Sequence, residues 1–469
     1  MDATTPMLFP DFENPSEATR TNASAADEAS ADDTPRPGVR RLRRAEREQA
    51  EMLLESLDQL LAPDDPARIV WKFVEALDLT PILERIQALE GGAGRDALDP
   101  RISMSLWLMA TIDGYGSARE LERLCTAHIR YRWICGGVSV NYHSLSDFRS
   151  AHPEFLEKVM VDSVASMLHE GLVTLTEVAQ DGMRVRASAG ASSFRREPTL
   201  RECLKQAEDQ VAALKTLDPG EAAAASERQA RARQRAAEDR RERIARALVE
   251  RDKLLVQRQE QKDDKGVKFE PEKIRVSTTD SESRKMKMPD GGTRPAYNFQ
   301  FATATEGGVI LGATVTNSGS DAGAMGPMID QIRTDYGQSP KRVLVDGGFA
   351  TLDDIDGTQT RHDAKVYAPI KNEKATLAKG ENPYQAKRRD PASVAQWRER
   401  MGTAEAKEIY KRRAQTAEWV NAGMRQRGLY QVLVRGLQKV TTIAHWHTIA
   451  HNLLRAVVLR AAQAVGQPG

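Results

Sequence analysis

Three acids stand where their types and spacing could do chemistry together: Asp181, Asp346 and Glu418. Asp181 falls in a stretch rich in Val, Thr and Leu, 172–186, and Asp346 ends the short apolar run Arg342-Val343-Leu344-Val345. Glu418 sits in a long stretch, 403–427, with no helix breaker until Gly423. Three carboxylates brought within a few ångströms repel one another unless cations neutralise them, and hard oxygen ligands suit Mg²⁺ or Mn²⁺. Two such ions about 3.5–4 Å apart would stabilise the attacking and leaving oxygens of an in-line displacement at phosphorus. Asp-Gly after a strand is also an ordinary turn, so the spacing alone is a weak signal.

The elements that would position these acids can be read from periodicity. From residue 53 to 171 the pattern is helical, with Ile69, Phe73, Leu77 and Leu79 before Pro81, and Ile82, Ile86 and Leu89 after it. Gly91-Gly92 breaks that pattern. Ser117 with Glu120 forms a capping-box signature, and Ser144 with Asp147 a weaker one. An all-helical domain over 50–171 is expected. At Val173 the texture becomes β-like.

Residues 200–262 interrupt it with a charged helical stretch split by Asp218-Pro219-Gly220. Large apolar residues in its second half recur only at Ile244, Leu248, Leu254 and Leu255, which predicts a protruding helical hairpin and not a coiled coil. Further on, 297–303 and 309–315 flank Glu306-Gly307-Gly308 as a hairpin. A helix over 321–332 follows, with Asp321 as its cap, then a strand over 342–345 and another over 365–370. A long helix over 403–427 comes next, and 429–465 is helical again. Without the insert the order is three strands, helix, strand, helix, strand, helix. That order predicts a mixed α+β and α/β fold, a helical N-terminal domain followed by a ribonuclease H-like mixed sheet interrupted by a helical arm. The first and fourth strands would be neighbours, and the last helix would cross the same edge. The expected boundaries are a disordered acidic tail and basic knot at 1–49, helices at 50–171, the catalytic domain at 172–199 and 270–428, the arm at 200–269, and C-terminal helices at 429–469.

Composition narrows the class. The chain of 469 residues is 40% hydrophobic, with a mean hydropathy of -0.54 and no apolar run of the ~18 residues that span a bilayer. No secretory signal is visible in the acidic, polar first thirty residues. Cys125, Cys135 and Cys203 have no paired spacing, which fits a reduced cytoplasm and neither a disulfide framework nor a zinc finger. The net charge of +1 hides an uneven distribution. Residues 1–30 carry six acids and one base, whereas 361–440 carry 18 Lys and Arg against eight acids. Such a local excess suits phosphate, although a charge run can equally be a solvated face. The knot Arg40-Arg41-Leu42-Arg43-Arg44 either touches DNA backbone or begins a helix.

Several motifs occur in order. Asp99-Pro100-Arg101-Ile102-Ser103, Ser117-Ala118-Arg119-Glu120-Leu121-Glu122 and Tyr142-His143-Ser144-Leu145-Ser146-Asp147-Phe148-Arg149 lie in the helical part. Asp181-Gly182-Met183-Arg184-Val185-Arg186-Ala187-Ser188, Pro295-Ala296-Tyr297-Asn298, Val315-Thr316-Asn317-Ser318-Gly319-Ser320-Asp321 and Val345-Asp346-Gly347-Gly348-Phe349 follow. Tyr410, Arg413, Glu418 and Arg425 close the series on one stretch. Over roughly 60–460 these resemble bacterial insertion-sequence DDE transposases with an InsH-type N-terminal domain, of the IS5/IS4-like superfamily. The common form has Lys where Arg425 stands, and one residue fewer between the Arg and the Glu. It also reads Glu-Pro-Val-Phe where this chain has Glu418-Trp419-Val420-Asn421. Tyr410 to Glu418 is eight residues and Glu418 to Arg425 is seven, each about two turns, so all four are expected on one helix face.

The resemblance implies metal-dependent cleavage of element ends and strand transfer. Asp181 and Asp346 would bridge two Mg²⁺ or Mn²⁺ ions, and Glu418 would hold one. Arg413 and Arg425 are expected at DNA phosphates, or as partners of Glu418 or another acid of the helix. Tyr410 is expected on the DNA backbone or in the core. Implied partners are the terminal inverted repeats, target DNA and further copies of the chain, in a bacterial cytoplasm at the nucleoid. A decayed transposase that only binds DNA is the alternative, and a scaffold built on the arm a third class. His445, His447 and His451 have metal-like spacing but share a helix with Ile443, Trp446, Ile449, Leu453 and Leu454, which favours core over zinc. Met286 and Met288 read as loop residues, and Asp280 as a turn or structural acid.

Overall fold

A computed structural model describes residues 54–88, 96–216, 224–265 and 269–466. The acidic tail, the basic knot, the break at Gly91-Gly92 and the turn at Asp218-Pro219-Gly220 lie outside the described residues. Every element named below belongs to one compact unit that starts at Glu55.

Helices come first: α1 (Leu57–Leu60), α2 (Pro66–Glu75), α3 (Thr80–Leu83), α4 (Pro100–Asp113), α5 (Ala118–Ala127), α6 (Ile129–Cys135), α7 (Tyr142–Ala151) and α8 (Pro153–His169). Their starts follow from local chemistry. Asp65 and Asp99 each accept a backbone N–H two residues on, and a proline at the first helical position needs no partner for its missing N–H. Ser117 caps α5 through the Glu120 N–H. The expected Ser144 cap does not form. Asn141 starts α7 instead, and its Oδ1 accepts the Ser144 N–H at 2.9 Å. Eleven of the twelve residues from Pro100 to Thr111, all but Arg101, are buried, so this helix is covered all round.

A mixed sheet follows. Its strands are β1 (Glu177–Arg186), then beyond the insert β4 (Arg284–Lys287), β5 (Thr293–Ala304), β6 (Ile310–Thr316), β7 (Arg342–Leu344) and β8 (Lys365–Tyr367). The insert carries a short pair, β2 (Phe194–Arg195) and β3 (Val276–Ser277), and two helices packed on each other, α9 (Glu197–Thr216) and α10 (Ala224–Lys265). β5 lies antiparallel between β1 on one side and both β4 and β6 on the other. β1 runs parallel to β7, and β7 parallel to β8. The first strand and the strand before Asp346 are therefore neighbours, as the element order implied.

Helices α11 (Met325–Tyr336), α12 (Leu352–His362), α13 (Glu373–Ala378), α14 (Ala392–Met401), α15 (Ala404–Gln426) and α16 (Leu437–Gly466) complete the chain. α11 starts later than expected, at Met325, and Asp321 does not cap it. Met286 is not in a loop either: it lies on β4, buried beside Met288 and Ala296.

α16 joins the two parts. Trp446, 2% exposed, donates its indole N–H to the Arg149 carbonyl of α7 at 3.0 Å. Two turns on, the Asn452 amide pairs with both the N–H and the carbonyl of Ile310 on β6. Among the described residues no helix is long and apolar enough to cross a membrane.

Candidate active site

Alternation along β1 sends Asp181 to one face of the sheet and Gly182 to the other. Asp181 faces α15. The parallel register pairs Ala179 with Leu344, and continuing it two residues sets Asp346 level with Asp181 at the carboxyl end of β7. Neighbouring strands lie about 4.8 Å apart, so the two carboxylates share a crevice.

Arg413 of α15 lies between them. Its Nη2 donates to Asp181 Oδ1 at 2.8 Å and stands 3.7 Å from Asp346 Oδ2. Asn421, two turns along the helix, donates to Asp181 Oδ2 at 2.9 Å. Asp346 Oδ1 accepts the Gly348 N–H at 2.7 Å. Burial pushes the Asp181 carboxyl above the ordinary aspartate value; Arg413 opposes that and the Asp346 charge reinforces it. Tyr410 sits close enough to feel the same groups. Burial raises its phenol, Arg413 counteracts, and Asp346 and Asp181 add to the rise.

The rotation of α15 about its axis is held at several points. Beside Arg413, Arg412 donates to Glu177 Oε2 at 2.9 Å, and Glu177 is only 4% exposed at the start of β1. Arg342 pairs with the same oxygen at 2.8 Å. On another side, Trp419 lies against Gly308, where a Cβ would come within 2.7 Å of the ring, and Arg455 stacks on the indole at 5.1 Å.

This rotation decides where Glu418 goes. Five residues after Arg413 is about 140° around the helix, whereas Asn421, eight after it, is about 80° away. Glu418 is exposed, and its side chain makes no hydrogen bond or ion pair among the described residues. Arg425 is exposed as well. The structure thus brings Asp181, Asp346, Arg413 and Tyr410 together, and leaves Glu418 and Arg425 on the open side of the helix. The expectation that Tyr410, Arg413, Glu418 and Arg425 share one face does not hold, because two turns between successive members hide the offset between Arg413 and Glu418. Among the described residues no group of three His, Cys, Asp or Glu is arranged to hold a metal ion. Asn421 was not singled out in the sequence, although its spacing of eight from Arg413 would have revealed a shared face.

Behind Asp181 lies a second polar cluster, on the Gly182 face. Asp321 Oδ1 accepts from Asn298 Nδ2 at 2.6 Å and from Gln300 Nε2 at 2.7 Å, all three being buried. A Cβ on residue 182 would fall 2.4 Å from that oxygen, so glycine is required there. Arg184 donates to the Gly319 carbonyl at 2.9 Å and stands 3.5 Å from Asp321. Asp280 is structural: it accepts the Tyr297 hydroxyl at 2.7 Å and the Gly436 N–H at 3.2 Å. His445, His447 and His451 are buried in α16, and desolvation lowers them to about 4, 3 and 4.

Comparison with known families fits this layout. Residues 55–151, from α1 to the end of α7, match the model described as Transposase domain (DUF772). Residues 374–457, which carry α15 and most of α16, match the model described as Transposase DDE domain. Together these two matches support an insertion-sequence DDE transposase, and neither specifies a subgroup. DDE transposases generally use divalent metal ions. Asp181 and Asp346 precede the second matched segment, while Tyr410, Arg413, Glu418 and Asn421 lie inside it. No curated protein and no solved structure matches the chain.

Proposed function

We propose that this chain cleaves the DNA ends of its element and joins them to target DNA, with Asp181 and Asp346 as metal-binding acids and Glu418 as the third. One observation carries the reading: two aspartates stand level on adjacent parallel strands, beneath a helix that belongs to the DDE-matched segment. The sheet order β6-β5-β1-β7-β8, with β5 antiparallel to its neighbours, supports a ribonuclease H-like core.

The donor set suits the group. Carboxylate oxygens are hard ligands for Mg²⁺ or Mn²⁺, and Arg413 now supplies the positive charge that two adjacent aspartates need. When bound, such ions would activate water and stabilise charge developing at phosphorus. Arg413 would then be released toward a DNA phosphate. Glu418, three residues before Asn421 and without a side-chain partner among the described residues, is free to turn toward the aspartates. Asn421 would hold the Asp181 carboxylate in orientation throughout. The helices before β1 would read the element end and the basic stretch 361–440 would hold backbone. Two ends must be gathered, so the working form would be an oligomer on DNA.

The outward position of Glu418 favours a second reading, a DNA-binding protein without turnover. The deciding experiment incubates labelled duplex carrying the element end with the protein and Mg²⁺ or Mn²⁺, beside Asp346→Asn and Glu418→Gln. Cleavage by the parent and by neither variant is expected. Equal binding by all three with no cutting under either metal would leave the second reading. Cutting by Glu418→Gln at the parent's rate would remove Glu418 from the site.

A further inference from the structure

A cleft of about 660 Å³ opens where the insert meets the sheet, between the end of α10, residues 269–275, β4 and the loop after β6. Its size is that of ligand-holding clefts, roughly 300–1,000 Å³. Five bases line it, Arg258, Lys273, Arg275, Arg284 and Lys285, against one acid, Glu270. Two of the five are already matched: Lys273 pairs with Glu270 at 2.7 Å, and Arg284 pairs with Glu250. Arg258 and Arg275 are exposed and have no ion-pair partner among the described residues. Lys285 stands over the Phe194 ring at 5.2 Å, but that ring is buried; the Phe269 ring is half-buried. Unpaired guanidinium groups interleaved with aromatic rings are the chemistry of single-strand nucleic-acid seats, where phosphates meet charge and bases meet a flat face.

The position of the cleft narrows the ligand further. Gly319 lines it and accepts from Arg184, which lies three residues beyond Asp181, about 10 Å along β1. Arg184 is on the face of β1 opposite Asp181, and Arg284, which lines the cleft, is level with Arg186 across β5, so the cleft lies past the acid pair at the carboxyl end of β1. A duplex needs a broad basic surface, whereas a cleft with one half-buried ring and two arginines that have no ion-pair partner among the described residues fits an unpaired strand.

We infer that this cleft seats a single-stranded segment of the substrate DNA past the acid pair, at the carboxyl end of β1, with Arg258 and Arg275 on phosphates and Phe269 against a base. The inference rests on the DNA-processing function proposed above, and the experiment separates the two. Fluorescent duplexes carrying the element end are prepared blunt and with 3′ or 5′ tails of about ten nucleotides. Their affinities are measured by anisotropy across a salt series, without divalent metal, for the full chain, for the double variant Arg258→Gln/Arg275→Gln, and for Phe269→Leu. The parent is expected to bind one tailed duplex more tightly than the blunt one. The double variant should lose about tenfold on the tailed duplex, its salt slope falling by about 1.4 for two lost single-strand phosphate contacts. Phe269→Leu, which keeps the apolar packing, should lose about tenfold on the tailed duplex with its salt slope unchanged. Blunt-duplex affinity should stay within about twofold for both variants. Equal affinity of the parent for blunt and tailed duplex, or equal losses on both, overturns the seat and leaves the DNA reading standing. Failure of the parent to bind any of the duplexes overturns both.

Discussion

Two sets of side chains in this protein have the spacing of metal ligands, and their surroundings separate them. Asp181, midway along β1, and Asp346, just past the end of the parallel β7, meet in a crevice, partly exposed and compensated by Arg413. His445, His447 and His451 are spaced two and four apart along α16, but all three are buried and desolvation holds them neutral. The first set keeps charge and access to solvent. The second has given up both, and its members serve the interior: His451 Nε2 bonds to the Gly308 carbonyl at 2.9 Å, beneath the Trp419 ring. Spacing nominates residues, but accessible charge with a removable counter-ion is what equips a pair to take a cation.

The largest effect that would sharpen this contrast is on turnover. Asp181→Asn or Asp346→Asn should reduce metal-dependent end cleavage about a thousandfold or more, the equivalent of several kcal/mol of lost charge stabilisation. Melting temperature and DNA affinity should be kept. Cleavage within tenfold of the parent would break the comparison at its first member.

Next comes the acid sensitivity of the histidine set. Folded values of about 4, 3 and 4 lie below the unfolded value of about 6.5, so the unfolded chain binds more protons once the pH drops under that figure. Stability is full above about pH 6.5 and falls as pH falls toward 4. At about pH 5.5 the three together should cost about 4 kcal/mol, read as a lower urea midpoint than at about pH 7.5. An unchanged midpoint would mean that the histidines are open to water or charged when folded.

Gly182→Ala tests the wall behind the acids. Its Cβ would lie 2.4 Å from Asp321 Oδ1 and 2.7 Å from Gln300 Nε2, so a loss of about 1–3 kcal/mol in denaturant unfolding is expected. A silent substitution would show that the polar cluster shifts easily and does not hold β1 in place. The smallest expected effect is none: micromolar Zn²⁺ should leave the melting temperature unchanged. A rise would reinstate the histidines as ligands.

Much of the fold was legible because its signals are local. The hairpin of β5 and β6 around Gly307 and Gly308, the short strand before Asp346 and the long helix after Thr403 all carry their own periodicity or turn chemistry. The neighbouring of β1 and β7 followed from element order alone. What escaped was set by tertiary contacts. Asp321 looks like a helix cap, yet two amides from β5 draw its carboxylate into the sheet. Glu418 looks like a partner of Arg413, yet the Arg412–Glu177 pair and the seat of Trp419 rotate it outward and bring Asn421 in. No motif within α15 encodes that rotation, because the groups that fix it sit on β1 and in the loop before β6.

The course of α16 bears on how the molecule comes apart. Its first half supplies Trp446 and Ile449 to the core that holds Leu106 and Leu121 of the N-terminal helices. Its second half supplies Ala456 to the core that holds Val343 and Val366 of the sheet. A helix propagates order along its own backbone, so neither half can melt freely while the other stays docked. Heating or denaturant should therefore release both cores in a single cooperative transition, and the N-terminal helices are expected to have no separate melting point of their own.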